Sequence, residues 1–196
     1  MCTKLERRSF ALATLLPLLL LPTLAAAKPP EGWIAAGAAP RDYEMGTDKA
    51  VSLNGKASAF LRAAKPTPAG FGTLMQIFRA EDFRGKRVRL SAQVQSRDVV
   101  EWAGLWMRVD GKGDRPKAFD NMQRRPIRGT TPFTEYQVVL DVAADAEAIA
   151  FGILLDGAGA LWMNAVRFEI VDKNVPVTGG PHSDLNEKPK NLDFAE

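Results

Sequence analysis

The sequence holds one cysteine and one histidine among its 196 residues. Cys2 stands at its head and His182 near its end, so the long stretch between has neither. That excludes a disulfide framework, a thiol nucleophile, a histidine-based triad and a Cys/His zinc site in that stretch. No glycine-rich loop opens a helix to cradle a phosphate. No acidic spacing fits an EF-hand loop. Long internal repeats are missing, which argues against a propeller or a solenoid. Helical periodicity is missing too, outside the first 27 residues.

An excess of one charge is also lacking in the body of the chain. The whole sequence has 26 Lys+Arg and 23 Asp+Glu. Lys4, Arg7, Arg8 and Glu6 lie in the opening segment, which leaves 23 basic and 22 acidic residues beyond it. A nearly neutral body offers no concentrated basic face, so no nucleic-acid partner is expected.

What is present begins with an export signal. Residues 1–8 are short and basic, residues 9–24 are almost wholly apolar, and Ala25-Ala26-Ala27 supplies small residues for cleavage before Lys28. The run is also long enough for a retained anchor. Pro17, Pro22 and the alanine triplet favour cleavage, with no stable membrane anchor afterwards and a periplasmic or secreted product. Arg7-Arg8-Ser9-Phe10 partly matches the twin-arginine pattern. The expected organisation is a signal peptide over 1–27, an extended lead-in over 28–40 and a β-sandwich domain over 41–171. A flexible polar tail over 172–196 would follow, broken by Pro176, Gly179, Gly180, Pro181 and Pro189.

The middle reads as strands. Residues 41–45 are a first strand, 46–49 a turn, and 50–53 and 57–63 the arms of a hairpin on Asn54-Gly55, which accept positive φ. Residues 65–72 are a loop and 73–79 a strand. The cleanest alternation follows, with Val88, Leu90, Ala92 and Val94 inward and Arg87, Arg89, Ser91, Gln93 and Gln95 outward. Residues 101–110 form the central strand. A short strand over 118–122 and a long polar loop precede a strand over 133–142. Residues 149–155 are a strand buried on both faces, and 160–171 close the domain. Many short strands between Gly and Pro turns predict an all-β fold, an antiparallel β-sandwich or jelly roll.

The central strand carries the candidate site. Alternation puts Trp102, Trp106 and Arg108 on one face and Leu105, Met107 and Val109 on the other. The aliphatic face suits a core. Indole rings stack on sugar rings, and a guanidinium forks hydroxyls or a carboxylate. The competing reading has both tryptophans in the core. Asp120, Asn121 and Gln123 add an acid and two amides, the groups that hydroxyl recognition needs, with Gln76 a candidate for the same groove. Asp120 and Asn121 equally suit turn capping. A carboxylate pair among Asp110, Asp120 and Glu101 would be the one catalytic route open, that of a glycoside hydrolase.

The succession TLMQ (73–76), RGKRVRLSAQV (84–94), WAGLWMRVDG (102–111), FDNMQRRPIRGTT (119–131) and FGILLDGAGALWMNAVRFEIV (151–171) resembles a poorly characterised bacterial family. Some members are exported single domains, and similar sequence occurs in proteins labelled AraC-type regulator. The layout is also similar to galactose-binding-domain-like jelly rolls, including carbohydrate-binding modules. That likeness implies a glycan or other small polar ligand as partner. It also raises a structural calcium, which Asn164 weakens by standing where the related strand often has aspartate. No catalytic cofactor and no catalytic residue are expected. The alternative is an envelope module whose partner is a protein.

Overall fold

The computed structural model describes residues 27–113 and 116–179. Nine strands form one antiparallel curl in the order β1-β4-β8-β5-β9-β3-β2, with β6 and β7 both on β5. They are β1 Ile34–Gly37, β2 Tyr43–Leu53, β3 Lys56–Ala63, β4 Gly72–Arg79, β5 Arg87–Asp110, β6 Pro116–Asp120, β7 Ile127–Asp141, β8 Ala148–Asp156 and β9 Ala160–Val171. The only helical elements among the described residues are two three-residue 3-10 turns, Pro40–Asp42 and Glu81–Phe83. The fold is an all-β antiparallel sandwich.

β5 makes two layers out of one curl. Its first half, Arg87 to Arg97, pairs with β9, and its second half, Trp102 to Asp110, pairs with β8. The strand bends between them, where its register with β7 slips at Ser96 and Val99. Asp98 takes a φ of 51° there. Thr130 steadies the bend, its hydroxyl accepting the Asp98 backbone N–H at 3.0 Å. The first layer is β1, β4, β8, the second half of β5 and β6. The second layer is β2, β3, β9 and the first half of β5, with β7 running along its edge and past the bend.

The core lies between the layers and follows the alternation. Val88, Leu90, Ala92 and Val94 are buried, as are Leu105, Met107 and Val109 further along the same strand. Facing them are Leu61, Leu74, Ile149, Ile153, Leu155 and Leu161. β8 is buried on both faces along nearly its whole length.

Several boundaries differ from those expected. The stretch read as a lead-in contains β1, which pairs with β4 from Ile34↔Met75 to Gly37↔Gly72. The turn expected over 46–49 lies within β2, whose pairing with β3 shifts only between Asp48 and Ser52. The two strands expected at 87–95 and 101–110 are one strand of 24 residues. Half of the long polar loop, from Ile127 onward, is the start of β7. The Asn54-Gly55 hairpin is as expected, with φ of 50° and 75°. Beyond β9 the chain stays attached as far as Thr178, whose backbone N–H donates to the Val139 carbonyl at 2.9 Å. Arg87 Nη1 donates to the carbonyls of Lys173 and Val175. The export signal as far as Ala26, His182 and the rest of the expected tail lie outside the described residues.

Candidate functional site

Trp102, Trp106 and Arg108 all point away from the core, on the outer face of the first layer. Their strand neighbours across the ladder are Asp156, Gly152 and Ala150 of β8. Small residues at 150 and 152 leave room above the sheet, and the space is a groove of about 330 Å³. Trp106 is its floor. The ring is 6% exposed and is packed by Met75, Ala150 and Leu154. Its Nε1–H donates to Thr73 Oγ1 at 2.8 Å, and Thr73 donates in turn to the Ile153 carbonyl at 2.8 Å. A buried indole N–H is thus satisfied and its plane fixed.

The walls come from neighbouring strands. Phe119 of β6 stands opposite Arg108, is 42% exposed and meets Trp106 edge-on at 6.4 Å. Phe71 closes the other side from the loop before β4. That loop is held by Tyr43, whose hydroxyl lies 2.9 Å from the Gly70 carbonyl and 3.2 Å from that of Gly157. Burial, with the Asp156 charge adding to it, pushes the Tyr43 phenol up to about 12. Arg108 closes the rim. Its Nε and Nη2 donate to the two Asp110 oxygens at 2.8 and 3.0 Å. Two atoms of its fork are therefore fixed, and Nη1 is left facing outward without a hydrogen bond to the described residues.

The polar residues expected to join this groove do not. Asp120 pairs with Met107, a core-facing residue, so its side chain lies on the opposite side of the sheet from Phe119. Its carboxylate is bound by Arg125 Nη1 at 3.2 Å and Nη2 at 2.6 Å and accepts the Met122 backbone N–H at 2.8 Å. That is an anchor for the 121–126 turn. Asn121 caps the same turn by accepting the Gln123 N–H at 3.1 Å, while the Gln123 side chain is exposed. Gln76 pairs with Phe151 and shares the inner face with Leu74. Of the seven expected residues, Trp106 and Arg108 line the groove, and Trp102 packs beside it against the cluster of Met75, Trp106, Ala150 and Leu154. Phe119, Thr73, Met75 and Phe71 were not singled out as partners. Thr73 and Met75 sit two apart in TLMQ, and that alternation was the available signal.

Among the described residues no three His, Cys, Asp or Glu side chains converge to hold a metal ion. Asn164 holds the start of β3. Its Nδ2 donates to the carbonyls of Lys56 and Ala57 and to Ser58 Oγ at 3.1 to 3.2 Å.

The outer face of the second layer has a different character. Arg87–Asp141, Arg89–Glu169 and Arg167–Glu135 ion pairs lace it. The first layer instead leaves Ile34, Ile77 and Phe119 exposed around the groove.

An antiparallel sandwich with an aromatic groove on one outer face has the fold of the carbohydrate-binding jelly rolls. The CBM22-1 xylan-binding domain from Paenibacillus barcinonensis Xyn10C is similar with a TM-score of 0.53, at 10% identity, over 75% of this chain and 90% of that one. The enzymatically active domain of bacteriophage CBA120 tailspike protein 4 is similar with a TM-score of 0.57, at 13% identity, over 72% of this chain and 20% of that one. The Stig cyclase Fisc from Fischerella sp. TAU is similar with a TM-score of 0.51, at 15% identity, over 77% and 93%. At these identities the likeness is one of fold. In sequence the chain is 43% identical over 168 residues to the uncharacterized HTH-type transcriptional regulator YbfP of Bacillus subtilis (strain 168). The match takes in 85% of this chain and 57% of the regulator, so the chain spans little more than half the length of that relative. No protein-family model matches the chain.

Proposed function

We propose that this chain is an exported, non-catalytic module that binds a glycan in the groove over Trp106. The observation that carries the reading is the contrast between the two outer faces. An ion-paired face is what a solvated sheet needs. A face that leaves Phe119, Ile34 and Ile77 exposed and Trp102 half-buried is costly in water unless it is covered in use. Its chemistry suits a pyranose. Apolar rings take the C–H face of the sugar, and the outward Nη1 of Arg108 donates to a hydroxyl. The likeness in fold to a xylan-binding domain supports the same ligand class. Asp110 and Asp120 are each tied to an arginine, which supports binding without hydrolysis.

The test is tryptophan fluorescence and calorimetry of the purified chain against a panel of xylan, galactan and glucan oligosaccharides, with and without calcium. Saturable binding that weakens in Phe119→Ala and Arg108→Ala, with unchanged melting, supports the module. No saturable response to any glycan in the panel would overturn it. Signal-peptide cleavage before Lys28 is read separately, by fractionation and N-terminal sequencing of the expressed protein.

A further inference from the structure

A second cavity lies on the other side of the first layer. It opens where the sandwich has no covering strand. β4 pairs with β1 only as far as Met75, and β9 pairs with β3 only as far as Met163. Beyond those points lies a cleft of about 410 Å³.

Five aromatic rings line it. Phe168 of β9 meets Phe151 at 4.8 Å and Phe78 at 5.2 Å, both edge-on. Phe83, from the short turn after β4, meets Phe78 at 5.9 Å, and Trp33 meets Phe151 at 5.5 Å. Phe151 is buried, but Trp33, Phe78, Phe83 and Phe168 are only half-buried. A folding core alone would close over four such rings, because each leaves apolar area in water. The single polar side chain in the lining is Gln76, and no charged residue joins it. The Gln76 amide makes no hydrogen bond to the described residues, although it is itself half-buried. A half-buried amide of this kind offers two donors and an acceptor to whatever enters.

We infer that this cleft is a second binding site, for a small, neutral, flat aromatic molecule carrying one group that hydrogen-bonds with an amide. The size falls within the range of small-molecule pockets. Edge-on ring walls form a slot that a planar ring fills by stacking and edge contacts. The lack of any charge in the lining disfavours an ionic ligand, which would lose its hydration without a partner. The groove over Trp106 serves a different chemistry and lies across the sheet, so the two sites are tested independently.

The experiment is isothermal titration calorimetry of the full chain with 2-naphthamide, naphthalene and the saturated decahydro-2-naphthamide. The expected result is saturable binding of one 2-naphthamide per chain, with the saturated analogue weaker. Gln76→Leu keeps the volume and removes the amide. It should weaken 2-naphthamide about fivefold, the worth of one net hydrogen bond, and leave naphthalene unchanged. Phe83→Leu, on a surface turn, should weaken both ligands, and its near-ultraviolet dichroism and melting report whether the fold survives. Phe119→Ala should change neither. The inference falls if 2-naphthamide gives no saturable heat. It falls equally if binding ignores both Gln76→Leu and Phe83→Leu, or if Phe119→Ala abolishes it, since the ligand would then sit in the groove.

Discussion

Thr73 and Trp106 form one hydrogen-bonded unit across two strands that do not touch. β8 lies between β4 and β5, and the indole reaches over Gly152 to place Nε1 at 2.8 Å from the threonine hydroxyl. Thr73→Val keeps the shape and orphans the indole N–H. The expected loss is about 1–3 kcal/mol of stability, the usual cost of an unpaired buried donor. Urea unfolding with an unchanged slope would show it. A variant as stable as the parent would mean the indole finds another acceptor.

Asp120 is an anchor, which sets a prediction opposite to that for a ligand-binding acid. Asp120→Asn weakens the pairing with Arg125 while keeping an acceptor for Met122. Stability should fall by about 1–2 kcal/mol, discounted because Arg125 is partly in water. Glycan affinity should hold once the protein is folded. Thermal melting and a binding titration on the same sample separate the two effects. A lost affinity with an unchanged melting point would return Asp120 to the site.

At high pH the weak point is Tyr43. Burial raises its phenol from 10.0 to about 12. The unfolded chain therefore releases this proton first. The tyrosine's contribution is complete below the unfolded value and is lost as the pH rises through the folded one. Absorbance of phenolate should show a late component near the folded value, absent in Tyr43→Phe. That variant should also free the loop carrying Phe71 and weaken glycan binding. A phenolate titration unaltered by Tyr43→Phe near that value would contradict the assignment.

At low pH the corresponding group is Asp48. Its carboxyl is held below 3.8, first by the Trp162 indole N–H at 2.9 Å and then by the backbone N–H groups of Ala50 and Val51. Its folded value is depressed, so its stabilisation is complete above 3.8 and drains away as the pH falls through the folded value. Urea midpoints measured from about pH 7 down to about pH 3 should decline less steeply in Asp48→Asn than in the parent. Parallel curves would mean that Asp48 contributes nothing to acid unfolding.

Gly152 of β8 lies against the β4 backbone with no room for a side chain. A methyl group there would lie 2.1 Å from the Leu74 carbonyl oxygen and 2.9 Å from the Met75 Cα. Backbone cannot give way as a side chain does. Gly152→Ala should cost about 1–3 kcal/mol and disturb Trp106 directly opposite. Melting and the near-ultraviolet tryptophan signal are the readouts.

Residue types and their alternation made part of this architecture legible. Val88 to Val94 and Leu105 to Val109 pointed to the core because period two leaves no other choice. For the same reason Trp102, Trp106 and Arg108 were placed together on the far face. The failures share a cause. Alternation assigns faces within one strand but says nothing of register between strands. Asp120 stands next to Phe119 in the chain, and only the pairing Met107↔Asp120 shows that they look in opposite directions. Gln76 fails likewise through its pairing with Phe151. The continuity of β5 was hidden because the alternation that ends at Gln95 does not carry on to Glu101. The strand in fact passes through the residues between, bent by the positive φ of Asp98. β1 was hidden because Ile34-Ala35-Ala36-Gly37 has too little β propensity, and its pairing with β4 decides the matter.

The bent strand also governs the order in which the molecule can be made. β5 is complete when residue 110 leaves the ribosome, but its neighbours β8 and β9 end only at Asp156 and Val171. β6 and β7 cover one of its edges by Asp141, but until β8 and β9 arrive the opposite edge stays open and each layer lacks a strand. The β2–β3 hairpin and the β5–β6–β7 pairings are local, but joining them through β8 and β9 is a late, long-range step. The open edge of β5 is therefore exposed while the chain is nascent, as are those of β3 and β4, which wait for the same two strands.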